Sequence, residues 1–293
     1  MKIELIKEDK VREYLFKALR SHRLPEMSAR PECRQLTELL KDKMKFLAES
    51  IPEGVTVASL GAGDGEREGI ILKALAAKGA VEYCALDING GMLDRAMERL
   101  EGPPGLKKTA FVGYLDDLPK LKSSVSSPVL CCCLGNAFCS HEPSSFLSLL
   151  ADSLTEQDLF LMDCHLGSQQ EQEKNISGSQ PFPDLGLTAE SVELRTELLP
   201  TVTAVGQAMR ARRSLLVQKD CKMSLSEVSV PLKKGEELEI GSVYTYKFSQ
   251  VVALLKKARF QTVRVFLSDN NEDLVILARP LGEGYLQYSM MGR

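Results

Sequence analysis

Along the middle of the chain, short apolar runs alternate with longer stretches whose apolar residues recur three and four positions apart. Val55–Leu60, Val81–Asp87, Ala110–Tyr114, Val129–Leu134 and Leu159–Cys164 have the length and composition of strands. Glu66–Lys78, Gly91–Leu100 and Ser144–Ser153 have the period of helices. Strand and helix in strict alternation predict an α/β fold with a parallel sheet. After Cys164 the pattern changes. Residues 167–184, rich in Gly, Ser, Gln, Glu and Pro, read as a surface connection. A helix is predicted from Thr188 to about Leu199, with Thr188 as its N-cap and Glu190 in its first turn. Arg213–Gln218, Met223–Val230 and Leu238–Tyr246 alternate like antiparallel strands, with a turn at Lys233–Glu236. A helix at Phe248–Ala258 and strands at Thr262–Leu267 and Leu274–Ala278 follow. The expected organisation is N-terminal helices over 1–50, a core over 51–167, an insertion over 168–242 and a return to the core over 243–293. The insertion and the N-terminal helices would together form an α+β lid over a substrate.

The first strand runs directly into Gly61-Ala62-Gly63-Asp64-Gly65, and the next strand ends on Asp87. Gly61, Gly63 and Gly65 allow a tight turn and close approach of the backbone to a ligand. Asp87, at the following strand end, is placed to accept hydrogen bonds from ribose hydroxyls. A glycine turn alone would serve equally as a plain turn; the acid beside it points to an adenosine-containing cofactor. The dinucleotide pattern G-x-G-x-x-G is not met, because the third glycine comes one residue early and Glu66 stands in its place. Asp64 and Glu66 would put two carboxylates at the mouth of the loop. They oppose a pyrophosphate and suit the cationic S-adenosylmethionine. Asp116 and Asp117, and Gly135-Asn136, fall at the ends of the third and fourth strands, where an open parallel sheet binds its ligands. One of the two aspartates is expected to meet the adenine amino group; the sequence leaves open which.

Composition narrows the class further. A formal net charge of −3, with 26% charged residues, offers no field for nucleic acid or an anionic membrane. No window approaches the ~18–20 apolar residues of a spanning helix, and Met1-Lys2-Ile3-Glu4 does not begin a signal peptide. A cytoplasmic protein is expected. The eight cysteines show no C-x-x-C pair and only three histidines accompany them, which argues against zinc. Cys84, Cys131 to Cys133 and Cys164 read as small buried hydrophobes of a reducing compartment. Cys139 lies just past a candidate site and could be exposed, with His141 as the one base near enough to activate it.

Several segments resemble, in family order over about residues 15–250, the histidine Nα-methyltransferases of ergothioneine biosynthesis. Leu24-Pro25-Glu26-Met27-Ser28-Ala29-Arg30-Pro31-Glu32 is similar to L-P-E-Y-Y-x-x-R-x-E. Leu60–Glu66 resembles the family's cofactor loop, and Ala85–Asn89 with Met92-Leu93 its L-D-I-S-x-x-M-L segment. Gly113–Leu118 resembles G-T-Y-D-D-G-L, and Leu134-Gly135-Asn136 the end of G-S-T-I-G-N. Gly186–Ala189 resembles G-V-T-A, and Lys234-Gly235-Glu236 with Thr245–Phe248 the closing G-E and S-x-K-F elements. The resemblance implies a Rossmann-like methyltransferase sheet ending in antiparallel strands. It implies S-adenosylmethionine as cofactor, held by Gly61, Ala62, Gly63, Gly65, Asp87, Ile88, Met92, Leu134 and Asp116 or Asp117. It also implies a small amino-acid-like acceptor whose carboxylate meets Asn136.

The departures bear on the acceptor. Phe182 stands where a family tyrosine assists Asn136 and lacks the hydroxyl. Val243 falls where a glutamate binds the imidazole, Thr245 replaces the serine beside it, and Met27-Ser28 replace a Tyr-Tyr pair. A site built to hydrogen-bond a polar ring loses discrimination when its partner is apolar. The expected activity is therefore N-methylation of a small amino-acid-like acceptor other than histidine. The alternative from the same residues is a catalytically silent S-adenosylmethionine-binding module whose insertion docks a protein. Tyr244, Thr245 and Tyr246 would line the acceptor pocket or simply face the core. The residues mark no general base, and oligomeric state is not legible.

Overall fold

The computed structural model describes residues 31–79, 82–100, 105–126, 128–166, 185–225 and 228–282. Five strands, β1 (Thr56–Leu60), β2 (Glu82–Asp87), β3 (Lys107–Val112), β4 (Val129–Cys133) and β5 (Leu159–His165), pair in parallel in the order β5-β4-β1-β2-β3. Antiparallel strands β12 (Asp273–Pro280) and β11 (Phe260–Leu267) extend the β5 edge to complete a seven-stranded sheet. The chain order reverses between β1 and β4, so the crevice beyond their carboxyl ends is where an open sheet accepts a ligand.

Period-two alternation explains the two faces of this sheet. On β4, Cys131 and Cys133 face one core while Leu130 and Cys132 face the other; on β5, Phe160 and Met162 oppose Leu159 and Leu161. Helices α1 (Pro31–Glu49), α2 (Glu66–Leu75) and α3 (Gly90–Arg99) cover one face through Leu40, Leu47, Ile71 and Leu93. Helices α4 (Leu118–Ser123), α5 (Pro143–Ser153) and α6 (Phe248–Lys257) cover the other through Leu121, Phe146, Leu147 and Leu254. The result is a Rossmann-like α/β layer. All eight cysteines are free thiols. Among the described residues, no helix is long and apolar enough to cross a membrane.

A second, antiparallel sheet runs β10 (Glu237–Thr245), β7 (Gly206–Val217), β6 (Val192–Thr203), and the hairpin of β8 (Cys221–Leu225) and β9 (Val228–Leu232) accompanies it. Leu187, Val192, Leu215, Met223 and Leu232 form its own small core. Three expectations are corrected here. The helix predicted over Thr188–Leu199 is instead a turn closed by Ser191, followed by β6. Val192, Leu194 and Leu198 share one face at period two, although Leu194 and Leu198 alone also fit a helix, and Pro200 is tolerated because β6 is an edge strand, free to lack one ladder N–H. Met223–Val230 is not one strand but takes in the end of β8 and the start of β9, which pair antiparallel. Strand β3 also lies earlier than predicted, because its charged start, Lys107-Lys108, belongs to a partly exposed edge strand.

Candidate active site

The glycine loop is shaped by backbone geometry and pinned by Asp87. Gly61 donates its N–H to Leu86 O at 2.8 Å, continuing the sheet into the turn. The Asp87 carboxylate accepts from Gly63 N at 3.1 Å and from Asn89 N at 2.9 Å. Asn89 in turn caps α3, accepting from Gly91 N and Met92 N. Gly65 closes the loop with φ of 76°, and a Cβ there would lie 3.1 Å from Ala96 Cβ. Glycine is thus required twice over at this position, by its left-handed backbone and by the packing of α2 on α3.

Beyond the strand ends lies a cavity of about 410 Å³. Gly61, Ala62, Gly63, Asp87, Ile88 and Leu134, all expected cofactor residues, line it. Gly65 and Met92 do not; they shape the loop and the α2–α3 packing behind it. The wall at the end of β3 is made by Gly113, Tyr114 and Leu115. Asp117 folds back over Gly113, accepting from Tyr114 N at 3.0 Å and pairing with Lys120, which together hold its carboxyl below the usual range. The expectations for the Asp116 side chain, for Phe182 and for residues 24–30 lie outside the described residues.

The carboxylates at the loop differ from expectation. Asp64 lines the cavity and pairs with Arg99 at 2.7 Å. Glu66 is exposed and outside the cavity, a correction that follows from helical phase. At the start of α2 it points to solvent, whereas Glu68, two residues on, turns towards the sheet. Glu68 is 3% exposed, and Ser59 Oγ donates to its Oε1. Burial pushes its pKa up to about 7, against the hydrogen bond from Ser59 and the charge of Arg67.

Arg67, also lining the cavity, donates to Cys33 O on α1 at 2.8 Å and lies 3.8 Å from Asp163. Asp163 is fully buried at the end of β5. It accepts from Gly135 N at 2.9 Å and Asn136 N at 2.8 Å; burial raises its pKa while Arg67 and these N–H groups oppose the rise. Gly135 has φ of 74°, and a Cβ would meet the Arg67 guanidinium at 2.8 Å. Arg67 and Asp163 therefore fix the Gly135-Asn136 step. Asn136 Oδ1 accepts from His165 N at 3.1 Å, leaving the amide N–H2 without a partner among the described residues.

The Ala137–Ser140 turn then packs beneath β10. Cys139 is fully buried there, which closes the exposed alternative, because the turn tucks it into the core beside Tyr246. Tyr246 is itself 1% exposed against Phe138 and Tyr244, as the core-facing reading required. Its hydroxyl and Thr245 Oγ1 have no hydrogen-bond partner among the described residues. Val243 is half-buried against the same core. His141, stacked on Phe146, joins Glu142 and Ser145 along the far wall of the cavity.

The donor set fits a cationic adenosine cofactor. Backbone at Gly61–Gly63, the Asp87 carboxylate and the apolar Ile88 and Leu134 would hold the nucleoside. Asp64 opposes a pyrophosphate at the loop, and Arg67 is placed for a carboxylate tail. Residues 32–174 match the model of the histidine-specific, S-adenosylmethionine-dependent methyltransferase family. The chain is an S-adenosylmethionine-dependent methyltransferase. The matched segment ends before the second sheet begins. No curated protein matches the methyltransferase by sequence. Among solved structures it is similar to the 1,6-didemethyltoxoflavin N1-methyltransferase of Burkholderia thailandensis, solved with 1,6-didemethyltoxoflavin and S-adenosylhomocysteine. That match is 10% identical over 96% of this chain and 94% of that one, with TM-score 0.48. CalS10, an amino pentose methyltransferase of Micromonospora echinaspora, is 12% identical over 88% and 96%, with TM-score 0.40. The CcbJ methyltransferase of Streptomyces caelestis is 9% identical over 87% and 98%, with TM-score 0.44.

Arg67, Glu68 and Tyr114 escaped the sequence reading as cavity residues, and His141 entered it only as a base beside Cys139. Helical phase could have found the first two, since only α2 positions turned towards the sheet reach the cavity. Tyr114 and His141 carry no such signal.

Proposed function

We propose that this methyltransferase N-methylates a small amino-acid-like acceptor other than histidine. The observation that carries the reading is Asn136. Its backbone is locked by Asp163, its Oδ1 is taken by His165 N, and its amide N–H2 remains to meet a carboxylate. Thr245 Oγ1, buried without a partner among the described residues, offers a further polar contact, since such a group costs about 1–3 kcal/mol when unsatisfied. Val243 offers none, so the ring nitrogens of histidine would lose about as much if water is excluded. S-adenosylmethionine supplies an electrophilic methyl group when bound. The chain's part is to orient a deprotonated amine in line with it and to exclude water. We assign the covering of that site to the insertion 168–242 with the N-terminal 1–50, whose Cys33 already forms cavity wall. Eight free thiols suit a cytoplasmic setting.

The test is consumption of S-adenosylmethionine over a panel of amino acids and polyamines, with products identified by mass spectrometry. One small amine should be turned over and histidine should not. Efficient Nα-methylation of histidine would overturn the acceptor assignment and leave the family standing. Val243→Glu combined with Phe182→Tyr should raise turnover of histidine.

A further inference from the structure

Glu68 has no role in the reading above, yet it is the most deeply buried carboxyl on the cavity wall. Its side chain is oriented by Ser59, whose Oγ donates to Oε1 at 2.5 Å. The charged groups facing it from its own turn are Arg67 and Asp64. Tyr83 on β2 and Cys132 on β4 face it from the sheet, and burial keeps both neutral. Arg67 directs its guanidinium away, to Cys33 O and Asp163, so among the described residues Glu68 has no ion pair. A carboxylate buried without a cation is costly, and such a group takes up a proton instead. Burial accordingly raises its pKa to about 7.

The cavity therefore holds, on adjacent residues, one guanidinium and one carboxyl waiting for a cation. An α-amino acid tail carries a carboxylate and an ammonium on one carbon, and Arg67-Glu68 matches that pair. Asp87 stands apart, at the end of β2, where the nucleoside is expected. We propose that Glu68, held by Ser59, is the counter-ion for the α-ammonium of the cofactor's amino acid tail, and that it releases its proton to solvent when the cofactor binds. The inference rests on the cofactor occupying this cavity.

Calorimetry from pH 5.5 to 8 tests it, with S-adenosylhomocysteine, which carries the tail, and 5′-methylthioadenosine, which lacks it. For the unmodified protein, affinity for S-adenosylhomocysteine should fall by up to ~10-fold per pH unit below 7. Near pH 7 the heat should vary with the buffer's ionisation enthalpy as a proton is released. Glu68→Gln should bind S-adenosylhomocysteine ~10-fold or more weakly at pH 8, independently of pH, while 5′-methylthioadenosine binds both proteins alike. Ser59→Ala should move the pH midpoint upward, because the hydroxyl favours the ionised carboxyl; this arm stands even if Glu68→Gln fails to fold. Unchanged S-adenosylhomocysteine affinity in Glu68→Gln, an equal loss of 5′-methylthioadenosine, an absent proton release or an unmoved midpoint in Ser59→Ala would each overturn the counter-ion. If the folded unmodified protein bound neither probe, cofactor occupancy of the cavity would fall and the inference with it.

Discussion

The seven-stranded and three-stranded sheets use their charged residues in opposite ways. In the first, Glu68, Asp87, Asp158 and Asp163 are all buried, and each is committed to backbone N–H groups or to a hydroxyl at a strand end. Asp158 joins β4 to the turn before β5 by accepting from Val129 N and Thr155 N, as Asp163 joins their far ends. In the second sheet the charges form an exposed or half-exposed ladder, with Arg212 paired to Glu197 and Glu237, and Arg210 to Glu239. Buried acids position the loops that do chemistry, because a single desolvated carboxylate organises two or three donors. Solvated pairs favour register and solubility and contribute little energy. The contrast places the fixed groups around the cavity and the adaptable ones on the second sheet.

The contrast breaks first at Asp163. Asp163→Ala removes the acceptor for Gly135 N and Asn136 N and strands the Arg67 guanidinium, a loss expected at about 3–5 kcal/mol. Chemical denaturation checks it, and a change below about 1 kcal/mol would show that these buried acids do not organise the strand ends. Next comes the pH dependence. Glu68 is raised from 4.5 to about 7 in the folded protein. Its contribution is therefore fully present below pH 4.5 and is lost as pH rises through 7, about 3 kcal/mol in the cofactor-free protein. Unfolding of the unmodified protein and of Glu68→Gln, compared at pH 5 and pH 8, should diverge towards alkaline pH, with Glu68→Gln the more stable there. Parallel curves would contradict the burial. Gly65→Ala should cost about 1–2 kcal/mol for its left-handed backbone, besides crowding Ala96. Arg212→Ala, on the exposed ladder, should leave the unfolding midpoint within experimental error. A clear drop would erase the distinction between the sheets.

The same contrast governs what was legible. Strands β1, β2, β4 and β5 stand out because buried strands read as unbroken apolar runs bounded by turns. The glycine loop and the acid beside it were legible because the left-handed backbone at Gly61, Gly63 and Gly65 calls for glycine and Asp87 ends the neighbouring strand. Strand β6 was misread because Leu194 and Leu198, four apart, fit a helix as well as an edge strand, and Pro200 looked like a helix stop. Glu66 was credited with the place of Glu68 because charge is visible in sequence and helical phase relative to the sheet is not. Cys139 looked exposed because nothing local reveals that β10, about a hundred residues on, packs over its turn. Long-range packing is what the apolar pattern does not carry.

The division between cofactor and acceptor is tested most directly by titrating S-adenosylhomocysteine into Asp87→Ala and Asn136→Ala by calorimetry. Asp87→Ala should weaken binding by about 1.5–3 kcal/mol, the scale for charged hydrogen bonds. Asn136→Ala should bind S-adenosylhomocysteine as the unmodified protein does and lose turnover of the acceptor alone. Undiminished binding in Asp87→Ala, or an equal loss in Asn136→Ala, would contradict the account.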